Sequence, residues 1–274
     1  MSADGKKKRI VVKVGTSTLT HDNCELNFRS FDALARVLSD IHNMGNEVIL
    51  VSSGAIAVGT GKLKLKERPE SLELKQAAAA VGQCELMHLY DKFFGDYGKT
   101  VAQILLTGDD MEQPKVRQNL VNTFDSLLDL GIIPIVNEND SVSYAEIEAE
   151  SAEHKIFGDN DTLSAAVAVL CEAELLVLLS DIDGLYEGNP AEDPAARLIR
   201  EVRVIDDEIV SLASGAGSRR GTGGMITKLQ AARMAMDKRI DMVIANGARP
   251  ERLYEIIEGR PAGTLFVGRR KRHD

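Results

Sequence analysis

Seven short apolar runs, separated by stretches of helical or polar character, constrain the fold of this 274-residue chain more than any other feature. They occupy residues 10–12, 48–51, 101–106, 132–136, 175–179, 242–244 and 264–267. Several are apolar at successive positions instead of alternating, which is the pattern of strands covered on both faces. Between them, Phe31, Leu34, Ala35, Leu38 and Ile41 keep a 3.6-residue period that ends near Gly45, a residue able to close a helix. Residues 70–94, 116–130 and 161–170 also read as helices, the first containing the small run Ala77-Ala78-Ala79-Ala80. Strands joined by crossovers of this length pair in parallel, so the chain is expected to be an α/β protein with a mainly parallel sheet.

The alternation breaks only at residues 137–158, where Glu146, Glu148, Glu150 and Glu153 gather. We read this stretch as a loop or hairpin arm within one domain spanning residues 1–274. The basic runs near the two ends read as frayed chain at residues 1–8 and 269–274. A net charge of -9 argues against a nucleic-acid-binding body. No apolar run is long enough to span a bilayer, no leader pattern opens the chain, and Cys24, Cys84 and Cys171 form no C-x-x-C pair. A reduced, cytoplasmic protein is expected. Cys84 and His88 lie one helical turn apart, but nothing nearby completes a metal site.

The chemistry gathers where apolar runs end. Gly221-Thr222-Gly223-Gly224-Met225-Ile226-Thr227-Lys228 opens into a helical stretch. Glycines allow close backbone approach, a helix N-terminus adds partial positive charge, and lysine a full one, so the parts suit a polyphosphate. An ordinary glycine-rich loop before a helix has the same composition. It is not a Walker loop, and neither is Gly95-Asp96-Tyr97-Gly98-Lys99-Thr100, which has a helix before it and a strand after it. The first strand ends in Lys13-Val14-Gly15-Thr16-Ser17 and the second in Ser52-Ser53-Gly54-Ala55. A lysine leaving a buried strand is costly unless a fixed anion meets it. Turns at carboxyl ends of parallel strands face one crevice. Two acidic-amide clusters follow, Asn137-Glu138-Asn139-Asp140 and Gly158-Asp159-Asn160-Asp161. They offer a carboxylate for an ammonium and amide N–H groups for a carboxylate, although Asp159, Asn160 or Asp161 would equally serve as a helix cap. Ser180-Asp181-Ile182-Asp183-Gly184 forms a polar turn after the most apolar run.

In this order, and along nearly the whole chain, these motifs resemble the amino-acid kinase superfamily, and within it the glutamate 5-kinase family. The resemblance implies a three-layer α/β/α sandwich. Glutamate would lie on the N-terminal part, and ATP on the part beginning near residue 175. It makes Lys13 and Lys228 the phosphate-binding lysines, with Asp161 orienting them. Ser53, Asp140 and Asn160 fall on glutamate-binding positions, with Gly54 and Asn137 beside them. Ser180, Asp181, Thr222, Gly223, Gly224, Met225, Ile226, Thr227 and Lys228 fall on nucleotide-binding positions. Gly15 would offer its N–H to the transferring phosphoryl group. Mg²⁺ would be held mainly by ATP phosphates and water, with no protein metal site. Proline as feedback inhibitor, a downstream glutamyl-phosphate reductase and a homo-oligomer are further implications, with no nucleic acid or membrane involved. Many bacterial members append an RNA-binding-type domain to the kinase, and the motifs here cover the kinase part alone. Acetylglutamate, aspartate, carbamate and nucleoside-monophosphate kinases share the lysines and glycine turns, as would a non-catalytic nucleotide-binding relative. An acidic group placed for a free α-ammonium favours glutamate.

Overall fold

The computed structural model describes residues 7–21, 23–142, 159–190, 192–193, 195–214 and 224–268. The acidic 146–153 stretch, Thr222, Gly223, and residues 1–6 and 269–274 of the basic ends lie outside them. All seven apolar runs are strands: β1 (Arg9–Val14), β2 (Glu47–Ser52), β3 (Val101–Leu106), β4 (Ile133–Glu138), β5 (Leu175–Ser180), β7 (Asp241–Asn246) and β8 (Thr264–Phe266). A two-residue strand that the apolar pattern did not reveal, β6 (Glu201–Val202), completes one eight-stranded sheet. Its order is β3-β4-β2-β1-β5-β7-β8-β6. Every pairing from β3 across to β7 is parallel. β8 turns back, antiparallel to β7, and β6 at the edge pairs parallel with β8, so these two strands run opposite to the other six.

Side chains alternate across a strand, so β1 feeds two cores. Ile10, Val12 and Val14 pack with α1 (Thr16–Leu19), α2 (Phe28–Asn43), α3 (Ala55–Lys62), α4 (Leu72–Asp96) and α10 (Arg252–Ile257). Val11 faces the opposite layer, built by α6 (Pro114–Asp129), α7 (Asn160–Leu170), α8 (Asp207–Ser214) and α9 (Met225–Asp237). The short α5 (Gly108–Glu112) leans Met111 on that second core. The arrangement is the expected three-layer α/β/α sandwich.

Local signals set the helix ends. Asn27 Oδ1 accepts the Ser30 N–H at 3.2 Å and starts α2, and Gly45, at φ +93°, ends it in the left-handed region. Pro114 occupies the first turn of α6, where its missing N–H costs nothing. Asp159 caps α7 by accepting from Asp161 N and Thr162 N, fulfilling one of the two roles open to that cluster.

The tightest packing joins α3 and α4. A Cβ on Gly59 would sit 1.8 Å from the Ala78 carbonyl oxygen, and one on Gly82 would sit 1.8 Å from that of Ala55. The two backbones touch, and Ala78 and Ala79 keep the rest of the crossing small. Gly82→Ala is therefore expected to lower unfolding stability by about 2 kcal/mol or more, because backbone rather than a flexible side chain must move. Gly95→Ala, in the same helix with open space around it, should be neutral or stabilising by up to ~1 kcal/mol. Urea unfolding of both variants checks this; equal effects would show that helix propensity, and not the crossing, decides.

Candidate active site

β1 lies between β2 and β5, where the chain stops adding strands on one side and starts on the other. In open parallel sheets a crevice forms outside the carboxyl ends of the strands at such a reversal. Lys13, next to last on β1, shares the face of Val11 and so points toward α7 and α9. There it meets Asp161, in the first turn of α7, with Nζ 2.7 Å from Oδ1. Lys228, in the first turn of α9, donates from Nζ to Asp161 Oδ2 at 3.0 Å. Thr227 Oγ1 lies 3.3 Å from the same oxygen and 2.8 Å from the Gly224 carbonyl.

Asp161 and Lys228 are the only fully buried ionisable carboxylate and amine among the described residues, and Lys13 is only slightly exposed. Burial alone would raise the Asp161 pKa, but Lys13 and Lys228 outweigh it and hold the carboxyl below its ordinary value. Asp161 is thus an anion at all ordinary pH values, and it is the fixed charge that lets two lysines sit in a nearly dry crevice.

One residue earlier, Asn160 belongs to a neutral network. Its Nδ2 donates toward the Ser52 carbonyl at 2.6 Å, Asn137 Oδ1 at 2.9 Å and Ser53 Oγ at 3.0 Å. Asn137 Oδ1 also accepts from the Glu138 N–H at 2.9 Å, while its Nδ2 donates to Gln83 Oε1 at 2.9 Å. Asp140 lies half-buried on the turn after β4. Gly54 precedes α3 at φ +97°, a conformation that strains any other residue, and a Cβ there would lie 3.4 Å from Thr16 Cγ2. The turns after β1 and β2 therefore touch, as their sequences suggested.

Two expectations change in detail. The Gly15 N–H donates to the Leu179 carbonyl at 3.3 Å, so it is engaged within the sheet end and not presented outward. The Asn160 nitrogen is surrounded by protein acceptors, so it does not offer the N–H proposed for a substrate carboxylate. Toward the C-terminal half, Ser180 Oγ donates to Asp181 Oδ1 at 3.1 Å and the Ser180 carbonyl accepts from Gly247 N at 2.7 Å. Gly224 immediately precedes α9; Met225 is packed in the core, leaving only its main chain for a ligand, while Ile226 is half-exposed. Thr222 and Gly223 lie outside the described residues. Lys99, of the misleading G-K-T, bonds Asn43 Oδ1 and His42 Nδ1 before the amino end of β3, on the edge of the sheet away from Lys13. Among the described residues no group of three or more His, Cys, Asp or Glu is placed to hold a metal. None of the described helices is long and apolar enough to cross a membrane.

Sequence reading missed Gln83 and Tyr90, both on α4. Tyr90 OH and Ser52 Oγ are 2.8 Å apart, so α4 reaches the end of β2 as well as β4. No local motif marks either residue. Their position depends on the glycine crossing that brings α4 onto α3.

A paired-lysine crevice beside an amide pocket on this sheet defines a small-molecule kinase, and the amino acid kinase family model matches residues 8–246, so the chain belongs to that family. Its curated relatives include the glutamate 5-kinase of Clostridium perfringens, 55% identical over 96% of this chain and 96% of the relative. The glutamate 5-kinase of Listeria monocytogenes is 53% identical over 96% of this chain and 94% of its own. Among solved structures, carbamate kinase from Giardia lamblia bound to AMP-PNP superposes with a TM-score of 0.66 at 13% identity, over 97% of this chain and 100% of that one. UMP kinase from Ureaplasma parvum gives 0.64 at 13% identity, covering 96% and 99%. At such identities these structures establish the fold.

The depressed Asp161 pKa yields a pH-dependent prediction. A carboxyl with a lower pKa folded than unfolded contributes stability that is fully present above the unfolded value, near ~3.9, and is lost as pH falls through the folded one. Asp161→Asn leaves two ammonium groups facing each other without their anion, and should reduce stability by about 3 kcal/mol at neutral pH. Urea unfolding across pH should show the gap to the parent closing in strong acid; a gap that persists undiminished there would mean that the carboxylate charge is not its source.

Proposed function

We propose that this chain transfers the γ-phosphoryl group of ATP to the side-chain carboxylate of L-glutamate, giving glutamyl 5-phosphate and ADP, the first step of proline biosynthesis. The observation that carries the reading is the convergence of Lys13 and Lys228 on Asp161, one residue along the helix from the Ser53–Asn160–Asn137 amide cluster. The identities to glutamate 5-kinases support this choice of acceptor over acetylglutamate or aspartate.

The nucleophile is a carboxylate, with a reference pKa near ~4.3, already ionised at neutral pH. A carboxylate oxygen attacks the γ-phosphorus, the bond to the β,γ-bridging oxygen breaks, and ADP leaves with the electron pair. No general base is needed. The obstacle is repulsion between an anionic acceptor and an anionic donor, so the protein's work is charge placement and alignment. Lys13 neutralises the transferring group and Lys228 the leaving-group side, with Asp161 holding both ammonium groups in place. Glutamate occupies the pocket of Ser53, Gly54, Asn137, Asp140 and Asn160, and the nucleotide lies along Ser180, Asp181 and the segment from Thr222 to Lys228. Mg²⁺ would accompany ATP, held mainly by its phosphates and water and not by protein carboxylates, and would supply further charge neutralisation. Proline as a feedback inhibitor competing with glutamate near Asp140 and Asn160, use of the labile product by a glutamyl-phosphate reductase, a homo-oligomeric form and a cytoplasmic location complete the proposal.

Trapping the acyl phosphate with hydroxylamine should give ATP-dependent hydroxamate with glutamate, and little with acetylglutamate, aspartate or carbamate. Lys13→Ala and Lys228→Ala should each lower turnover by about 10²–10³ with the fold retained. Near-parental turnover in either variant would remove the lysine assignment, and an equal response to all acceptors would remove the choice of glutamate.

A further inference from the structure

Hydrogen-bond directions around Asn160 are set by groups that cannot reverse. The Ser52 carbonyl can only accept, so the Asn160 atom 2.6 Å from it is nitrogen. The Glu138 backbone N–H can only donate, so the Asn137 atom 2.9 Å away is oxygen. The nitrogen of Asn137 then faces α4, where Gln83 meets it with Oε1 at 2.9 Å. Asn160 Nδ2 has two hydrogens and three protein acceptors, Ser52 O, Ser53 Oγ and Asn137 Oδ1, which leaves nothing to donate to a ligand. Its Oδ1 accepts no hydrogen bond from the described residues, and the residue as a whole is half-buried. Toward a substrate this side chain is an acceptor only.

Glutamate at neutral pH carries two carboxylates, which only accept, and one donor group, its α-ammonium. We propose that Gln83 is a positioning residue for substrate selection: through Asn137 it holds the Asn160 amide with its carbonyl turned to the pocket, where it reads the α-ammonium. The inference rests on glutamate being the acceptor. Asn137 is only 2% exposed, so without an oxygen at position 83 its nitrogen is left buried and unsatisfied. Rotation that relieves this takes Asn137 Oδ1 away from Asn160. The glycine crossing fixes the relay in space, because Gly82 presses on Ala55 and Gly59 immediately beside Gln83. Tyr90, two turns further along α4, holds Ser52 from the same helix.

The test measures KM for glutamate, KM for ATP, and the inhibition constant of glutarate, which has both carboxylates but no ammonium. Gln83→Met removes the acceptor oxygen at similar volume, and Gln83→Glu keeps an acceptor toward Asn137. Gln83→Met should raise KM for glutamate about tenfold while leaving glutarate inhibition and KM for ATP within twofold. Gln83→Glu should keep the parental preference for glutamate over glutarate. Equal weakening of glutamate and glutarate in Gln83→Met, or no change in either, would overturn the role of Gln83 in an enzyme still active on glutamate. A parental protein inactive on glutamate would overturn the acceptor assignment along with it.

Discussion

The carboxylate of Asp161 is the interaction on which the rest of the site depends. Ammonium groups are seldom buried, because leaving water costs them several kcal/mol unless a counter-charge is already in place. Lys13 and Lys228 come from opposite ends of the chain, one at the tip of the central strand and one in the first turn of a helix. Each is brought within ion-pair distance of a different oxygen of Asp161. The arrangement is a triad with net positive charge in a crevice of low polarisability, which is what a triphosphate meeting a second anion requires. The ionised state of Asp161 follows from the same geometry: burial opposes it, and the two lysines overcome burial.

Much of this was legible before any coordinates, and for identifiable reasons. Strands β1, β2, β4 and β5 each carry an unbroken apolar run of three to five residues because both faces are covered, so their carboxyl ends, and the polar turns after them, could be located from hydrophobicity alone. Lys13 stood out because a charge has no place in such a strand without a partner. Parallel pairing followed from crossover lengths and the three layers from the family resemblance, whereas the reversal of strand order at β1 emerged only with the fold.

What escaped depends on contacts between distant segments. Helix α3 carries Gly59 and Gly61, which read locally as turn residues; they are tolerated in a helix because α4 lies too close for any side chain at Gly59, and the Cys24 carbonyl too close at Gly61. β6 is two residues long, too short to show a period. Gln83 and Tyr90 lie in a helix whose pattern is dominated by small and apolar residues, and their polarity gains meaning only against Ser52 and Asn137. The direction of the Asn160 amide was likewise invisible, since composition names an amide but cannot say which of its atoms faces the protein.

The two halves of the site use different forces, and the first turn of α7 keeps them aligned. The acceptor half is a set of neutral amides and hydroxyls whose donors and acceptors are matched pair by pair, which suits discrimination among small acids that differ in one polar group. The phosphoryl half is ionic and tolerant of direction, which suits lowering a barrier dominated by charge repulsion. Asp159 caps the helix, Asn160 belongs to the first half and Asp161 to the second. Neighbouring residues in a helix are separated by about 1.5 Å of rise and share one rigid backbone. Displacement of this turn would carry the amide and the carboxylate together, preserving the distance between the bound acid and the cations. Misplacement of about 1 Å between reacting groups costs on the order of 10²-fold in rate, so mounting both halves on consecutive residues protects the quantity to which turnover is most sensitive.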